Sequence, residues 1–225
     1  MDKQVSSEFS SIGKPMRRNE DQRLLTGQGR FTDDFTLPNQ SYAAMVRSPH
    51  PHARIVKIDT SAAAAMPGVL GIFTGADVAA DGLKPIPHDP VPKTKYDMKL
   101  TGPGGTPIFI GPHMLLPADK ARHVGEAIAI VVAETEMQAM DAAEAVDVTW
   151  DVLPFVTDQR EAVKGGTQAL WDEVPDNTFV DTTFGDVAAT DAEFAKAAHV
   201  VKMDIYIPRV TGVTIEPRAA LGDYD

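Results

Sequence analysis

The sequence contains no cysteine among its 225 residues. Iron–sulfur clusters and many zinc sites need thiolate ligands, and disulfides need paired cysteines, so none of these can form within the chain. A cysteine nucleophile is excluded for the same reason. No apolar stretch reaches the length of a membrane span, and the first residues lack the apolar core of a secretory signal. We therefore expect a cytoplasmic protein without a membrane partner.

Basic residues are also in the minority. The chain has 21 Lys and Arg against 32 Asp and Glu, which gives a formal charge of −11. Because the phosphates of nucleic acid would be repelled by this charge, nucleic acid is not an expected partner. The hydrophobic share of 43% and the charged share of 24% are those of an ordinary globular protein. Such a length suffices for one large domain or for one and a half smaller ones.

The stretch from His123 to Pro154 carries the strongest structural pattern. Ala127–Ala133 is a near-continuous apolar run, which predicts a strand buried on both faces. Thr135 can cap a helix over 136–146, and apolar and polar residues then alternate over 146–152, as in a strand with one dry face. The small face of the helix consists of Ala139, Ala142, Ala143 and Val146. This stretch predicts a β-α-β unit, with a right-handed crossover if its strands are parallel.

Upstream residues predict short elements followed by an irregular segment. The predicted strands are 41–47, 53–58 and 69–73, and the predicted short helices are 62–66 and 76–78. From residue 80 to about 117 prolines recur among glycines, which leaves little room for regular structure. A long irregular segment in a compact domain is usually functional or held against a partner surface.

Downstream residues predict a connector and the beginning of a second domain. The connector is expected over 157–180, contains Gly165-Gly166 and is the expected domain boundary. Thr190-Asp-Ala-Glu193 has the spacing of a capping box for a helix that runs to Ala198. Residues 201–207 alternate between apolar and polar side chains, which predicts a strand. A further strand begins at Thr214, so the chain is expected to end within a domain.

Two pairs of histidines bear on the question of a metal site. His50 and His52 raise the question of a metal site, but two histidines are an incomplete ligand set and no third ligand is apparent nearby. His88 and His113 lie in the proline-rich segment without a carboxylate close in sequence. We expect both at the surface, and no metal ligand is assigned.

Other polar residues yield no catalytic assignment. Glu126, at the mouth of the buried strand, is the nearest approach to a catalytic acid, but a solvated or ion-paired carboxylate is the more ordinary interpretation. Gly125 is expected to need a backbone conformation closed to other residues, or to lie against a neighbouring backbone. A basic group near the N-terminus could bind an anion, although an arm lying on an acidic surface is favoured. It consists of Lys14, Arg17, Arg18, Arg23 and Arg30. No catalytic, cofactor-binding or metal-ligating residue is assigned.

Several separate stretches resemble one protein family in the order expected of it. They are Arg47–Ile55, Asp59–Val69, Phe73–Asp77, Val124–Glu134, Asp141–Glu144 and Val152–Pro154. Together they resemble the N-terminal α/β hammerhead domain of the molybdenum hydroxylases, the xanthine dehydrogenase and aldehyde oxidase family, especially large subunits of the aerobic carbon monoxide dehydrogenase type. Glu216-Pro-Arg218, preceded by 185–186 and 195–201, resembles the opening of the molybdopterin-binding domain that follows in the family.

The resemblance implies a fold and a domain order. The expected fold is α/β (α+β), an α/β hammerhead domain containing the β-α-β unit, followed by the incomplete first part of a molybdopterin-binding domain. The expected boundaries are an N-terminal arm at 1–20, the hammerhead domain at 21–157, the connector at 158–180 and the truncated molybdopterin-binding start at 181–225.

The resemblance also implies a role. The complete enzyme would hydroxylate a carbon centre or oxidise carbon monoxide with water as the oxygen source, using molybdopterin with molybdenum, FAD and 2Fe–2S clusters. The family's Gly-Gly-x-Phe-Gly stretch, its cofactor-contacting Gln and its late catalytic Glu have no counterpart in this sequence. This chain is therefore expected to frame the substrate funnel and to dock its partners rather than to catalyse.

The partners expected from the resemblance are the remaining molybdopterin-binding domain or subunit and the flavin and iron–sulfur subunits. A different class of function stays open at this point. The chain could be a free-standing hammerhead module for binding or assembly, or a non-functional remnant. The reading frame that follows in the genome would distinguish these alternatives.

Overall fold

The computed structural model describes residues 13, 15–89, 94–207, 210–214, 216 and 218–224. They fall into two units, one drawn from Met1–Gln40 and Asp204–Asp225 and the other from Ser41–Met203. Within the described residues, the second unit holds both sheets and five of the six α-helices. It also contains the stretches that carry the family resemblance, apart from Glu216–Arg218.

The strands of the second unit form two antiparallel three-stranded sheets. They are β1 (Tyr42–Arg47), β2 (Ala53–Asp59), β3 (Val69–Thr74), β4 (Lys120–Ala121), β5 (Ala127–Ala133) and β6 (Asp147–Val152). In the first sheet β5 lies between β1 and β3, and in the second β2 lies between β4 and β6. Each of these four ladders is antiparallel.

The helices are short, and one of them organises the core. They are α1 (Asp21–Leu25), α2 (Ser61–Ala64), α3 (Gly75–Ala80), α4 (Glu136–Glu144), α5 (Gln159–Ala162) and α6 (Val187–Lys196), with 3-10 turns at Thr32–Asp34 and Pro103–Gly105. The buried core cluster joins Ala63 of α2, Val131 of β5, Ala142 of α4 and Val146. Side chains from both sheets pack against this cluster, so it joins the two sheets of the second unit.

The prediction of a buried strand followed by a capped helix is confirmed. Ile128, Val131 and Ala133 of β5 have no exposed surface, as expected for the central strand of a sheet with both faces covered at these positions. The Thr135 hydroxyl accepts the Gln138 N–H at 3.3 Å and begins α4. Ala142 is fully buried on the helix face that meets the sheet. Small side chains allow the helix axis to lie close to the strands.

The predicted order of strand, helix and strand is confirmed, and the two strands lie in different sheets. β5 belongs to the first sheet and β6 to the second, and each pairs only with antiparallel neighbours among the described strands. The condition for a right-handed parallel crossover therefore does not arise. β6 instead pairs with β2, and its Trp150 side faces inward while Asp151 is exposed, as the alternation predicted.

The capping box predicted at Thr190–Glu193 is wrong because the helix begins earlier. Asp186 is the N-cap of α6, and its carboxylate accepts the Ala189 N–H at 2.9 Å. Thr190 lies inside the helix, where its hydroxyl donates to the Asp186 carbonyl at 2.8 Å. Asp is a stronger N-cap than Thr, and Gly185 at φ +86° turns the chain into it.

The strand predicted over 201–207 is not formed in the structure. Residues 200–207 carry no helix or strand and belong to neither sheet. Alternation of apolar and polar side chains favours a strand. A strand also needs a neighbouring strand whose main-chain groups form hydrogen bonds with it. Of the strand predicted from Thr214, residues 215, 217 and 225 lie outside the described residues, and Thr214 itself is not in a strand.

The first unit contains α1 and a polar turn. Gly27, at φ +71°, lies in the turn after α1. The Arg30 guanidinium lies 4.5 Å above the Phe35 ring, and the Thr32 N–H donates to the Glu216 carboxylate at 3.5 Å. Lys14 lies outside the described residues, and the proposed anchoring of the basic arm stays a prediction.

Candidate functional site

A tight corner joins β1 to the turn before β5. The Gly125 N–H donates to the Ser48 carbonyl at 2.8 Å, and the Ser48 N–H donates to the Glu126 carbonyl at 2.9 Å. The Arg47 guanidinium donates to the Gly125 carbonyl at 2.8 Å. Gly125 has φ +86°, and a Cβ built on it would meet nothing within 4 Å. The first of the two expected reasons for this glycine is therefore confirmed: conformation requires it, and crowding does not.

Glu126 stabilises that corner. Its carboxylate accepts the Arg122 N–H at 2.5 Å and lies 3.6 Å from His123 Nδ1. The side chain is 16% exposed. These contacts match the ion-paired interpretation of Glu126. Through these contacts the Glu126 carboxylate closes the turn 122–126, so the geometry gives no support to a role as a catalytic acid.

Three basic residues lie in or beside the β2–β4 ladder, and we define them as the basic cluster: His52, Lys120 and Arg122. His52 is 2% exposed, and because the Pro154 carbonyl can only accept, His52 Nδ1 carries the hydrogen of their 2.9 Å bond. Lys120 is 6% exposed, with its Nζ 3.9 Å from the Asp172 carboxylate. His52 and Arg122 immediately flank the paired residues Ala53 and Ala121, so the β2–β4 ladder brings them together.

The Arg122 guanidinium is held from several sides. It donates to the Lys120 carbonyl at 3.1 Å and to the Asp119 carboxylate at 3.5 Å, and it lies 4.1 Å above the Trp171 ring. Within the described residues, two buried nitrogens lack a protein partner, Arg122 Nε and His52 Nε2. A cation stacked on an indole ring and bonded to main-chain oxygen is typical of a structural clamp.

Trp171 reaches Arg122 because two irregular segments fold against each other. Its ring lies 5.7 Å from Phe109, and Phe109 in turn lies 5.3 Å from Phe179. A Cβ at Gly111 would come within 3.0 Å of the Trp171 ring, so this glycine permits the close approach. The Thr101 hydroxyl donates to the Asp181 carbonyl at 2.9 Å. The proline-rich segment thus packs on residues from the predicted connector.

The predicted connector is itself folded. Asn177, at φ +56°, donates through its side-chain amide to the Ala162 carbonyl at 2.9 Å and to the Gln168 carbonyl at 3.1 Å. Its side-chain oxygen accepts the Leu170 N–H at 2.9 Å. One residue therefore closes three turns of the loop, and Val174 is buried beneath it. Local propensity gave no sign of this arrangement, because its partners lie 7 to 15 residues away.

The histidines do not assemble a metal site. The His50 ring packs edge-on to Trp150 at 5.5 Å, whereas His52 bonds to Pro154. His88 and His113 are exposed, as expected, with ring centroids 5.8 Å apart. Across the residues that the structure describes, no three His, Asp or Glu side chains converge as metal ligands. None of the helices in the described part of the chain has the length and apolar character needed to cross a membrane.

Two surfaces of the second unit are apolar and open to solvent. On the outer face of the first sheet, Met45, Ile130 and Phe73 stand opposite one another across three strands, and Met45 and Phe73 are 43% and 48% exposed. The other surface lies on α6, where Val187 and Phe194 are more than half exposed. Contiguous apolar patches of this kind usually contact another part of a protein or a partner.

Comparison with known proteins shows the family to which the chain belongs. Residues 26–154 match the family model described as aldehyde oxidase and xanthine dehydrogenase, a/b hammerhead domain. The chain is 37% identical over 218 residues to the nicotine 6-hydroxylase large subunit of Paenarthrobacter nicotinovorans, covering 95% of this chain. It is 32% identical to the carbon monoxide dehydrogenase large chain of Hydrogenophaga pseudoflava over 92% of this chain.

A solved structure agrees with these sequence relatives. The crystal structure of the Cu,Mo-CO dehydrogenase in its carbon monoxide-reduced state aligns with a TM-score of 0.62 and 31% identity, over 83% of this chain and 23% of that one. The share of the relatives is similarly small, since the chain spans 24% of the nicotine 6-hydroxylase subunit and 25% of the carbon monoxide dehydrogenase chain. It thus corresponds to about a quarter of the length of these relatives.

Proposed function

Because this chain belongs to the aldehyde oxidase and xanthine dehydrogenase family, we propose that it is the N-terminal part of the large subunit of a molybdenum-containing hydroxylase. Its role there is structural: it frames the substrate funnel and docks the rest of the subunit. The observation that carries this proposal is the combination of identity over 95% of the chain with coverage of only 24% of the relative. The fold, with its own core around Val131 and Ala142, suits a framing domain.

No residue of this chain is assigned to the molybdenum cofactor. The family's Gly-Gly-x-Phe-Gly stretch, its cofactor-contacting Gln and its late catalytic Glu have no counterpart in the sequence. We therefore assign no catalytic, cofactor-binding or metal-ligating residue and derive no reaction step through this chain. In the complete enzyme, molybdopterin with molybdenum would lie in the remaining domains, and FAD and 2Fe–2S clusters on other domains or subunits.

The partners follow from the same proposal. They are the remaining molybdopterin-binding domain or subunit and the flavin and iron–sulfur subunits of a hetero-oligomer in the cytoplasm, with neither nucleic acid nor membrane involved. The domain order is proposed as arm 1–20, hammerhead domain 21–157, connector 158–180 and molybdopterin-binding start 181–225. The relatives named as a large subunit and a large chain support a multi-subunit setting.

The experiment is to purify the chain alone and together with the product of the adjacent reading frame. Molybdenum, iron and flavin are quantified, and dye-linked oxidation of candidate substrates is measured. We expect the lone chain to bind none of these cofactors and to oxidise nothing, because it has no cysteine for an iron–sulfur cluster and no counterpart of the family's glycine-rich stretch or catalytic Glu. Activity that appears only in the mixture supports a split enzyme. Stoichiometric molybdenum in the lone chain would refute the docking role, and an unrelated adjacent reading frame would favour a free-standing module.

A further inference from the structure

The stretch from Val200 to Ile207 has the pattern of a strand without a sheet. Its apolar residues are Val201, Met203, Ile205 and Ile207, and the residues between them are Lys202, Asp204 and Tyr206. A period of two places the apolar side chains on one face of an extended chain. In the structure these residues belong to neither sheet.

The apolar face of this stretch is strongly exposed. Val201 is 92% exposed, and Met203, Ile205 and Ile207 are each between 70% and 76% exposed. Four large apolar side chains in alternate positions lose much contact with water when covered, which is the main driving force of association. β-Branched residues at three of these four positions also favour extended backbone. The stretch would therefore be stabilised by a partner that forms main-chain hydrogen bonds with it and covers its apolar side chains.

The helix before this stretch has the same character. α6 ends at Lys196, with three residues between it and Val200, and its Phe194 is 59% exposed. A shallow open depression on α6 is lined by Ala189, Thr190, Glu193, Phe194 and Ala197. A helix and a strand that both expose apolar faces complete their burial in a layered body, where helices lie on a sheet. The partner is thus a folded domain with a sheet edge.

Resting on the proposed function, we infer that residues 200–207 become a β-strand of a sheet supplied by the remaining part of the large subunit. The alignment with the nicotine 6-hydroxylase subunit covers 95% of this chain and leaves about 5% of it unaligned. This unaligned part is shorter than the 18 residues that follow Ile207, so the alignment includes residues 200–207. The relative therefore holds a segment equivalent to 200–207 inside a chain about four times as long. That additional length is a ready source for the sheet.

A second copy of this chain is a poorer partner. Antiparallel pairing about Met203 would place Lys202 opposite Asp204, which is favourable for a cross-strand pair. The product, however, is a two-stranded ribbon whose apolar face is still uncovered, and such ribbons are at best marginally stable in water. Pairing with the edge of an existing sheet covers the apolar face of residues 200–207 and also provides hydrogen-bond partners for their main chain.

Hydrogen–deuterium exchange tests this inference. The probes are the full 225-residue chain and a chimera in which it replaces the aligned span of the Paenarthrobacter nicotinovorans subunit, followed by that protein's remaining sequence. Amides 201–207 should all exchange rapidly in the lone chain. In the chimera the alternate amides that enter the ladder should exchange at least 100-fold more slowly, whereas the β5 amides should be protected in both proteins. Equal rates at 201–207 in both proteins would overturn the inference. Protection in the lone chain that rises with concentration would also overturn it, in favour of self-pairing.

Proline substitutions test the ladder itself. A strand at a sheet edge uses every second N–H, so at least one of Met203→Pro and Asp204→Pro should abolish protection at 201–207 in the chimera. Lys202→Gln is the matched control and should leave that protection unchanged. Slow exchange at β5 in each variant shows that the hammerhead fold is intact. If both proline variants keep full protection, no ladder forms there.

The outcome is separable from that of the proposed function. Molybdenum content of the chimera is measured in parallel with exchange. A chimera that holds molybdenum while 201–207 exchanges rapidly overturns the strand inference and leaves the proposed function standing. A chimera that protects 201–207 but holds no molybdenum supports the strand inference and contradicts the proposed function.

Discussion

Replacing Ala142 with glutamate tests the assignment of the buried face of α4. Ala142 has no exposed surface, and its neighbours in the core cluster are Ala63, Val131 and Val146, all apolar. The new carboxylate would have no cationic partner there. An uncompensated buried charge costs about 3–5 kcal/mol, compared with a total free energy of unfolding of about 5–15 kcal/mol. At roughly 2–4 °C per kcal/mol for a chain of this size, the Tm should fall by about 6–20 °C.

The pH dependence of Ala142→Glu gives a second check. Burial favours the neutral carboxyl, so the pKa of the new group should be higher in the folded than in the unfolded protein. The loss of stability should then be small near or below the unfolded pKa of about 4.3 and should grow as the pH rises toward the folded pKa. Thermal unfolding by circular dichroism at pH 4 and pH 7 measures both effects. The exposed Glu144→Gln is the control and should change stability by less than about 0.5 kcal/mol. A variant that melts with the parent at pH 7 would show that the assigned face is not buried.

Three further changes test local structure. Gly125→Val should lower the free energy of unfolding by more than about 1 kcal/mol because φ is +86°. Gly125→Asn should lower it less, since Asn tolerates positive φ. Equal losses of the two variants in thermal unfolding would contradict this expectation. Asp186→Ala should destabilise α6 by about 1 kcal/mol, seen as faster amide exchange at Ala189, whereas Thr190→Ala should have little effect if Asp186 is the N-cap. Hydrogen bonds from the Arg160 side chain lower the pKa of Asp158 to about 2, so its stabilisation of α5 is present above the unfolded pKa of about 3.8 and is lost as the pH falls toward 2. An NMR titration of the Arg160 amide should show this step in the parent, and its persistence in Asp158→Asn would refute the assignment.

The elements that the sequence predicted well are those with local causes. The apolar run Ala127–Ala133 became the central strand β5, and the spacing of Ala139 and Ala142 identified the buried face of α4. Both patterns depend on neighbours within one or two turns. The exposed positions of His88 and His113 and the positive φ of Gly125 were also predictable, since proline density and a glycine at a corner have local consequences.

The placement of β6 and the contact of Arg122 with Trp171 have long-range causes. Nothing in the local pattern of 146–152 distinguishes a strand of the first sheet from one of the second, and the choice is made by pairing with β2, about 90 residues upstream. The clamp of Arg122 on Trp171 joins residues 49 positions apart through two segments without regular structure. A basic residue at alternate positions, Lys120 and Arg122, was the sole available signal, and it does not identify an aromatic partner.

A difference in how apolar residues converge separates the two parts of this chain. Between Ser41 and Pro154, apolar side chains from two sheets and two helices meet around Val131 and Ala142, so this part has a core of its own. Over 187–207 the apolar side chains are as regular in sequence, yet most of them face solvent. The spacing of apolar residues predicts secondary structure in both parts. Those residues become buried only where apolar side chains from several elements pack together. The matched family residues 26–154 coincide with the part that converges. The stability of that part should therefore be independent of the remaining subunit, whereas the order of 200–207 should depend on it.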